Sequence, residues 1–145
     1  GIATLLSALD SRTRPRGRAR LMAAGGLFRV GSRSPMETRT RLMFHRAGFP
    51  EPELNAEVLD CHGGWLLDGD FVWRRQRVIG EYQGADHASR KRRSADSMRS
   101  GLATDEDYQV IEIYAEDVYG RARRCTLLRR FARAMDIDPA TLTIE

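Results

Sequence analysis

Long apolar runs are missing from this sequence of 145 residues. No stretch approaches the ~18 consecutive apolar residues that a membrane-spanning helix needs, and no segment has the pattern of a secretory signal peptide. Internal repeats and low-complexity tracts are also absent from the sequence. These absences predict one cytoplasmic domain without membrane contact, and the length suffices for a substantial hydrophobic core.

Cysteine is scarce as well. The two cysteines, Cys61 and Cys125, lie far apart and form no CxxC motif. This spacing provides no disulfide framework and argues against a zinc site. We interpret both residues as reduced thiols.

Lysine is nearly missing, because only Lys91 among the 24 Lys and Arg residues is a lysine. The arginines are unevenly placed: residues 1–48 hold ten of them against Asp10 and Glu37, a net charge of +8. Residues 49–145 hold 14 basic and 18 acidic residues, a net charge of −4. A basic segment beside carboxylates suits a phosphodiester substrate, although a solvated basic surface explains the same charges.

A β-hairpin is predicted between Asp60 and Gly84. Residues 65–73 are rich in large apolar side chains, residues 77–83 alternate, and a polar Arg-Arg-Gln turn separates them. A turn centred there pairs residues whose numbers sum to about 151. Asp70 then faces Glu81, and the opposite face collects Leu67, Phe71, Trp73, Val78 and Tyr82.

Two carboxylates directly opposite each other repel, so the pair Asp70 and Glu81 indicates a bound cation. A hard divalent ion with oxygen ligands, Mg²⁺ or Mn²⁺, is the natural candidate. A register slipped by one residue, or two acids at a solvated sheet edge, is the alternative.

A helix is predicted to begin at Ser34, the N-cap of an S-x-x-E capping box that Glu37 completes. Pro35 fits the first helical position and Gly48 ends the helix. Glu37 therefore has a structural explanation as well as a catalytic one.

The remaining pattern predicts strands at residues 54–59 and 108–114 and helices at 89–100 and 121–135. The order of elements indicates an α/β fold with a mixed sheet between helices. Residues 1–33 are predicted to form a basic, helical segment. Because Gly1 is not a natural start, we expect this segment to adjoin a missing N-terminal domain, although a cleaved tag would leave the same start.

Several short motifs together resemble a known family. They are S-P-x-E-T-R at 34–39, A-G-F-P-E-P at 47–52, E-Y-x-G at 81–84 with His87, and V-I-E-I-Y-A-E-D at 110–117. Across nearly the whole chain, the sequence resembles the nuclease-like domain related to very short patch repair endonucleases, in the PD-(D/E)XK superfamily. Such domains often form the C-terminal half of actinobacterial proteins similar to abortive-infection antitoxins.

The resemblance implies that residues 34–145 have a restriction-endonuclease-like, three-layer fold with an α-β-β-β-α-β core. It also implies that Glu37, Asp70, Glu81 and Gln83 converge at one end of the sheet. Gln83 departs from the family pattern, in which the superfamily usually has lysine and these relatives usually have an acid. A neutral amide can bind metal through its oxygen but supplies neither charge nor a proton acceptor.

These observations favour metal-dependent hydrolysis of DNA phosphodiester bonds. In this hypothesis Asp70, Glu81 and Gln83 bind Mg²⁺ or Mn²⁺, and Glu37 holds the ion through a water. His87 is a candidate proton acceptor or leaving-group donor, because imidazole titrates near neutral pH. A histidine in a loop is otherwise ordinary polar surface.

Arginines near the motifs are predicted to contact DNA phosphates: Arg39, Arg90, Arg92, Arg93 and Arg99. A solvated helix face is the alternative interpretation of the last four. Two other functions stay open: a DNA-binding or regulatory module that retains the fold without efficient chemistry, which Gln83 favours, and a structural oligomerisation domain.

Overall fold

Four strands form one mixed sheet in the computed structural model of the chain, which describes residues 34–84 and 106–145. All of these residues belong to the compact unit Gly31–Glu145. The predicted N-terminal segment 1–33, His87 and the predicted helix 89–100 lie outside the described residues.

The described elements are α1 Pro35–Ala47, β1 Glu53–Leu59, β2 Trp65–Trp73, β3 Val78–Gln83, β4 Gln109–Tyr114, α2 Ala115–Tyr119 and α3 Arg121–Ala134, with a short 3-10 helix at Pro139–Thr141. The four predicted strands and the closing helix are confirmed, each to within about one residue at either end. The short helix α2 is not foreseen by the pattern, because five residues are too few to display a helical period.

The caps predicted for α1 are present. The Ser34 hydroxyl accepts a hydrogen bond from the Glu37 backbone N–H at 3.1 Å, and Pro35 occupies the first turn. Gly48 ends the helix in the left-handed conformation with φ 97°. A residue with a Cβ is disfavoured there, so the end of α1 depends on this glycine.

The strands lie in the order β1-β2-β3-β4. β1 with β2 and β2 with β3 are antiparallel, whereas β3 with β4 is parallel. The predicted hairpin register is confirmed for three pairs, Phe71 with Gly80, Val72 with Ile79, and Trp73 with Val78. The turn between them closes with a hydrogen bond from the Arg77 N–H to the Arg74 carbonyl.

The larger core lies between one face of the sheet and the helices. At its centre, the fully buried Phe44 of α1 makes edge-on contacts with Trp73 at 4.9 Å and Phe131 at 4.7 Å between ring centroids. Phe71, Trp73 and Val78, which the predicted register puts on one face, are buried in one cluster with Leu127, Leu128 and Phe131. Tyr82 packs against the same core but is only half-buried.

The other face carries a smaller apolar cluster, formed by Val58, Leu66, Leu67, Val72 and Ile79. The prediction that Leu67 shares the face of Phe71 is therefore wrong. Strict alternation would put them together, but alternation breaks between Leu67 and Phe71. A Cβ at Gly69, two residues before Phe71, would lie 2.6 Å from Val72 Cγ2 in the smaller cluster.

The matching break in β1 is at Asn55, which has φ 48°. Leu54 packs with the larger core, whereas Ala56 packs with the smaller cluster. The register places Asn55 opposite Asp70, between the pairs Leu54–Phe71 and Ala56–Gly69. The two strands therefore change faces at the same point.

The described structure is thus an α/β fold with a four-stranded mixed sheet, and its helices contribute to the larger core. None of the helices within residues 34–84 and 106–145 combines the length and the hydropathy that crossing a bilayer demands.

Leucine truncation tests the position of the core. Leu128→Ala should lower the free energy of unfolding by about 2–5 kcal/mol, because Leu128 is 1 % exposed within the larger cluster. Leu59→Ala removes the same atoms from a side chain that is 43 % exposed, and should cost less than about 1 kcal/mol. Chemical denaturation gives both values, and similar losses in the two variants would contradict the packing.

Candidate functional site

Asp70 lies where β2 changes faces, next to the last backbone pair that β2 makes with β3. Its Oδ2 accepts a hydrogen bond from the Tyr82 N–H at 2.8 Å. That N–H belongs to the peptide unit that follows Glu81. Beyond the last backbone pair, a hydrogen bond from the β3 backbone to the Asp70 side chain thus connects the two strands. It holds the Asp70 carboxylate beside the backbone of Glu81.

β4 adds a third carboxylate to this part of the sheet. Glu81 of β3 is in register with Glu112 of β4, and Gln83 is in register with Tyr114. Neighbouring strands lie about 4.8 Å apart, so residues in register are side by side. The Tyr114 hydroxyl donates a hydrogen bond to Glu112 Oε2 at 2.7 Å.

These side chains continue the face that carries the smaller apolar cluster. Ile79 and Val110, two residues before Glu81 and Glu112, both pack in that cluster. Side chains two residues apart in a strand share a face. The face is therefore apolar at one end and polar at the carboxyl ends of the parallel strands β3 and β4, which is where ligands bind in many open α/β sheets.

Glu37 is joined to the break in β1. The carboxylate of this buried residue accepts a hydrogen bond from Asn55 Nδ2 at 3.0 Å. Asn55 is the left-handed residue opposite Asp70. The described contacts thus link Glu37 to the β1 residue opposite Asp70, and Asp70 to the backbone of β3 beside Glu81.

Tyr82 lies between Glu81 and Gln83 on β3 and packs against the larger core. Burial raises the pKa of its hydroxyl, and the neighbouring Tyr119 and Glu116 raise the pKa further. Tyr82 is therefore neutral near pH 7. It provides apolar contact and a backbone donor for Asp70 rather than a negative charge.

Of the other predicted site residues, the structure describes only Gln83 and Arg39. Gln83 ends β3 and is half-buried. Arg39 is exposed on α1, and its guanidinium carbon lies 5.5 Å from the centre of the Tyr119 ring. His87, Arg90, Arg92, Arg93 and Arg99 lie outside the described residues.

Two buried charged residues have structural contacts. Arg41 is 2 % exposed and forms an ion pair with Glu51, which ties α1 to the connector before β1. Asp117 accepts the Tyr114 N–H at 2.9 Å at the start of α2, and its other oxygen accepts from Arg123 Nε at 3.0 Å. Burial of these charges therefore reflects connections between elements.

Sequence reasoning missed Asn55 and Glu112 as members of this region. Glu112 had a visible signal, since it is a single acid within an otherwise β-branched run at 110–113. Asn55 had little signal beyond the tolerance of asparagine for the left-handed conformation. Its hydrogen bond to Glu37 joins residues 18 positions apart, and spacing does not reveal such a contact.

The described structure defines an α/β protein with carboxylates and an amide at the carboxyl ends of two parallel strands. No protein-family model and no solved structure matches the chain. Two curated proteins of Mycobacterium tuberculosis are similar to it: uncharacterized protein MT2308 of strain CDC 1551 / Oshkosh and uncharacterized protein Rv2248 of strain ATCC 25618 / H37Rv. Each is 32 % identical over 125 residues, which cover 83 % of this chain and 45 % of the relative. The chain thus spans less than half the length of these relatives.

The contact between Asp70 and β3 is testable by amide exchange. Asp70→Ala removes the acceptor of the Tyr82 N–H, so this amide should exchange about tenfold faster, as expected for the loss of ~1.4 kcal/mol of local protection. Asp70→Asn keeps an oxygen in that position and should retain most of the protection. NMR-detected exchange measures both rates.

Asp68→Ala is the matched control for this test. Asp68 is an exposed acid of the same strand, and its carboxylate accepts from Trp65 Nε1 at 3.0 Å. Its loss should leave the Tyr82 amide unchanged. Equal acceleration in Asp68→Ala and Asp70→Ala would mean that β2 opens as a whole and that Asp70 has no particular role.

Proposed function

We propose that this chain carries a nuclease-like domain that hydrolyses DNA phosphodiester bonds with a divalent metal ion. The observation that carries the proposal is the Asp70 carboxylate held at 2.8 Å from the N–H that follows Glu81. This contact holds Asp70 beside the backbone of Glu81 on the adjacent strand, which supports a metal site formed by the two acids. In this proposal the fold is restriction-endonuclease-like, in agreement with the motif resemblance.

The side chains present suit a hard divalent ion by their chemistry. Within residues 34–84 and 106–145, no group of three or more His, Cys, Asp or Glu side chains is arranged to hold a metal. Mg²⁺ does not need such a cage, because it retains waters and is usually bound by one or two carboxylates together with substrate phosphates. Asp70 and Glu81 match that pattern, and Mn²⁺ also accepts carboxylate oxygens.

Each residue has a distinct part in the proposal. Asp70 and Glu81 bind the ion, with Gln83 adding an amide oxygen at the end of β3. Glu37, fixed by Asn55, orients a water at the edge of the site. A bound Mg²⁺ or Mn²⁺ supplies Lewis-acid activation of the phosphate and of the attacking water.

Residues outside the described ranges complete the proposal. His87 exchanges a proton with the attacking water or the leaving oxygen. Arg90, Arg92, Arg93 and Arg99 neutralise DNA phosphates without reading sequence. A further domain that selects the DNA site belongs to the same proposal, and the greater length of the two relatives is compatible with one.

A second candidate function is a DNA-binding or regulatory module without turnover. Gln83 is the residue that favours it, because an amide contributes no charge to a metal site. Such a module would retain the arginines and the fold while metal binding became weak. Activity measurements separate the two candidates.

Metal binding should stabilise the native domain. An ion that binds only the folded state, at ~100 times its dissociation constant, adds ~2.7 kcal/mol to the free energy of unfolding. Thermal melting in millimolar Mn²⁺ and in EDTA should therefore show a higher midpoint with the metal, and Asp70→Asn should abolish most of the rise. Glu57→Gln removes an exposed acid of β1 and should retain it. A rise that survives Asp70→Asn would place the ion elsewhere.

Gln83 decides how much activity the site supports. If the chain is a nuclease, Gln83→Asp should raise cleavage by strengthening metal binding, and Gln83→Lys should raise it by offsetting charge that develops on the phosphate. Asp70→Asn should remove activity while preserving the contact with Tyr82. The cleavage rate of duplex DNA is measured in single turnover, in Mg²⁺ and in Mn²⁺, for the wild type and the three variants. Background rates throughout would reject hydrolysis and leave the binding module.

A further inference from the structure

A groove lined by three arginines and a tyrosine lies among the helices, and the proposed metal site does not account for these residues. Its volume is about 480 Å³, within the ~300–1,000 Å³ range of small-molecule sites. It lies between α1, the end of α2, the first half of α3 and the C-terminal segment. The lining residues are Arg39, Leu42, Met43, Arg46, Val118, Tyr119, Arg124, Leu128, Thr143 and Glu145.

The groove is rich in positive charge. Arg39 and Arg46 are exposed residues on one side of α1, and neither forms an ion pair with a carboxylate among the described residues. Arg124 is fixed from α3 by hydrogen bonds to the main-chain oxygens of Val118 at 2.9 Å and Glu145 at 2.6 Å. The lining therefore holds three arginines and one acidic side chain, that of Glu145.

An aromatic ring lies next to these charges. Tyr119 is 59 % exposed, although the Arg39 guanidinium carbon is 5.5 Å from its ring centre. The Tyr119 hydroxyl is oriented by a contact of 3.3 Å with Met36 Sδ on α1. A large aromatic side chain that is held in place yet exposed provides a flat surface on which another ring can stack.

The geometry points to a binding site for a nucleotide phosphate, with the phosphate on Arg39 and Arg46 and the base against Tyr119. Guanidinium groups match phosphate oxygens through paired N–H donors. A base stacked on an aromatic side chain is the usual partner of such a contact in single-strand binding. A free nucleotide and the end of a single strand share this chemistry.

The lining of this groove does not include the carboxylates of β2, β3 and β4. On α1, Glu37 is buried and bonded to Asn55, whereas Arg39 is exposed toward Tyr119. The inference therefore stands without hydrolysis at Asp70. A binding assay in EDTA isolates the groove from any metal-dependent step.

The test uses fluorescence anisotropy of a 3′-labelled, 5′-phosphorylated tetra-adenylate, with AMP and inorganic phosphate as competitors. Arg39→Gln/Arg46→Gln should lower affinity about tenfold or more, and should reduce the slope of log K against log salt by ~0.7, because the two arginines neutralise one phosphate. Arg129→Gln/Arg130→Gln removes two exposed arginines of α3 outside the groove and is the matched control. The control should change affinity by less than about twofold.

Tyr119 separates stacking from charge. Tyr119→Leu should weaken tetra-adenylate and AMP by about tenfold while leaving inorganic phosphate unchanged, and Tyr119→Phe should bind as the wild type does. A stronger effect with tetra-adenylate than with AMP identifies a strand end as the ligand, and equal binding identifies a mononucleotide. Equal losses in the two double variants, or no phosphate-dependent binding by the wild type, would overturn the inference.

Asp70→Asn distinguishes this inference from the proposed function. The variant should bind tetra-adenylate as tightly as the wild type in EDTA, because Asp70 does not line the groove. Cleavage without groove binding would reject the nucleotide site alone. Groove binding without cleavage would reject the hydrolytic function alone.

Discussion

The change of faces at Asn55 and Asp70 is the constraint on which the arrangement of the candidate site depends. Residues that regular alternation would put on one face pack in different clusters across this point, as Leu54 and Ala56 do in β1 and Leu67 and Phe71 do in β2. Asn55 takes a left-handed conformation with φ 48°, and its amide donates to Glu37. Asp70 then satisfies the Tyr82 N–H, which would otherwise lack this acceptor where the backbone pairs end. One local break therefore connects α1, β1, β2 and β3. If the strands were regular throughout, the side chains of Asn55 and Asp70 would follow the ordinary alternation of a strand.

The larger core explains why the break is tolerated. Phe44, Phe71, Trp73 and Phe131 form a close aromatic cluster whose ring centroids are 4.7–6.4 Å apart. Aromatic contacts of this kind add about 0.5–1.5 kcal/mol each beyond the burial of area. The left-handed residue costs on the order of 1–3 kcal/mol, so several such contacts offset it. Packing of the aromatic cluster thus offsets the cost of the left-handed Asn55. The stability of the fold is in this way linked to the position of Asp70, which lies opposite Asn55.

Local signals predicted most of the described elements and part of the register between them. The strand bounds, the cap at Ser34 and the pairs from Phe71 to Trp73 follow from alternation, turn residues and capping chemistry, which act over a few neighbours. The error at Leu67 has a different origin. Alternation assumes a regular strand, and only the close approach of Gly69 to Val72 and Ile79 shows that it is interrupted. The contacts of Asn55 with Glu37 and the register of Glu81 with Glu112 join distant segments, so they required the tertiary structure. The groove beside Tyr119 is also lined by three separate stretches of sequence, 39–46, 118–128 and 143–145, which share no motif.

Repulsion between neighbouring acids offers a structural explanation for a neutral residue at position 83. Across the sheet, β2, β3 and β4 supply Asp70, Glu81 and Glu112, and Glu81 has Glu112 as its in-register neighbour. Like charges on neighbouring strands destabilise a sheet by up to about 1 kcal/mol per pair. An acid at position 83 would extend this repulsion toward the end of β3, beside Tyr114. A neutral amide limits that cost in the ion-free protein and still presents an oxygen. In the proposed metal site, an amide also attracts a cation less strongly than an acid would, so the stability of the free domain and the affinity for metal would change in opposite directions at this single position.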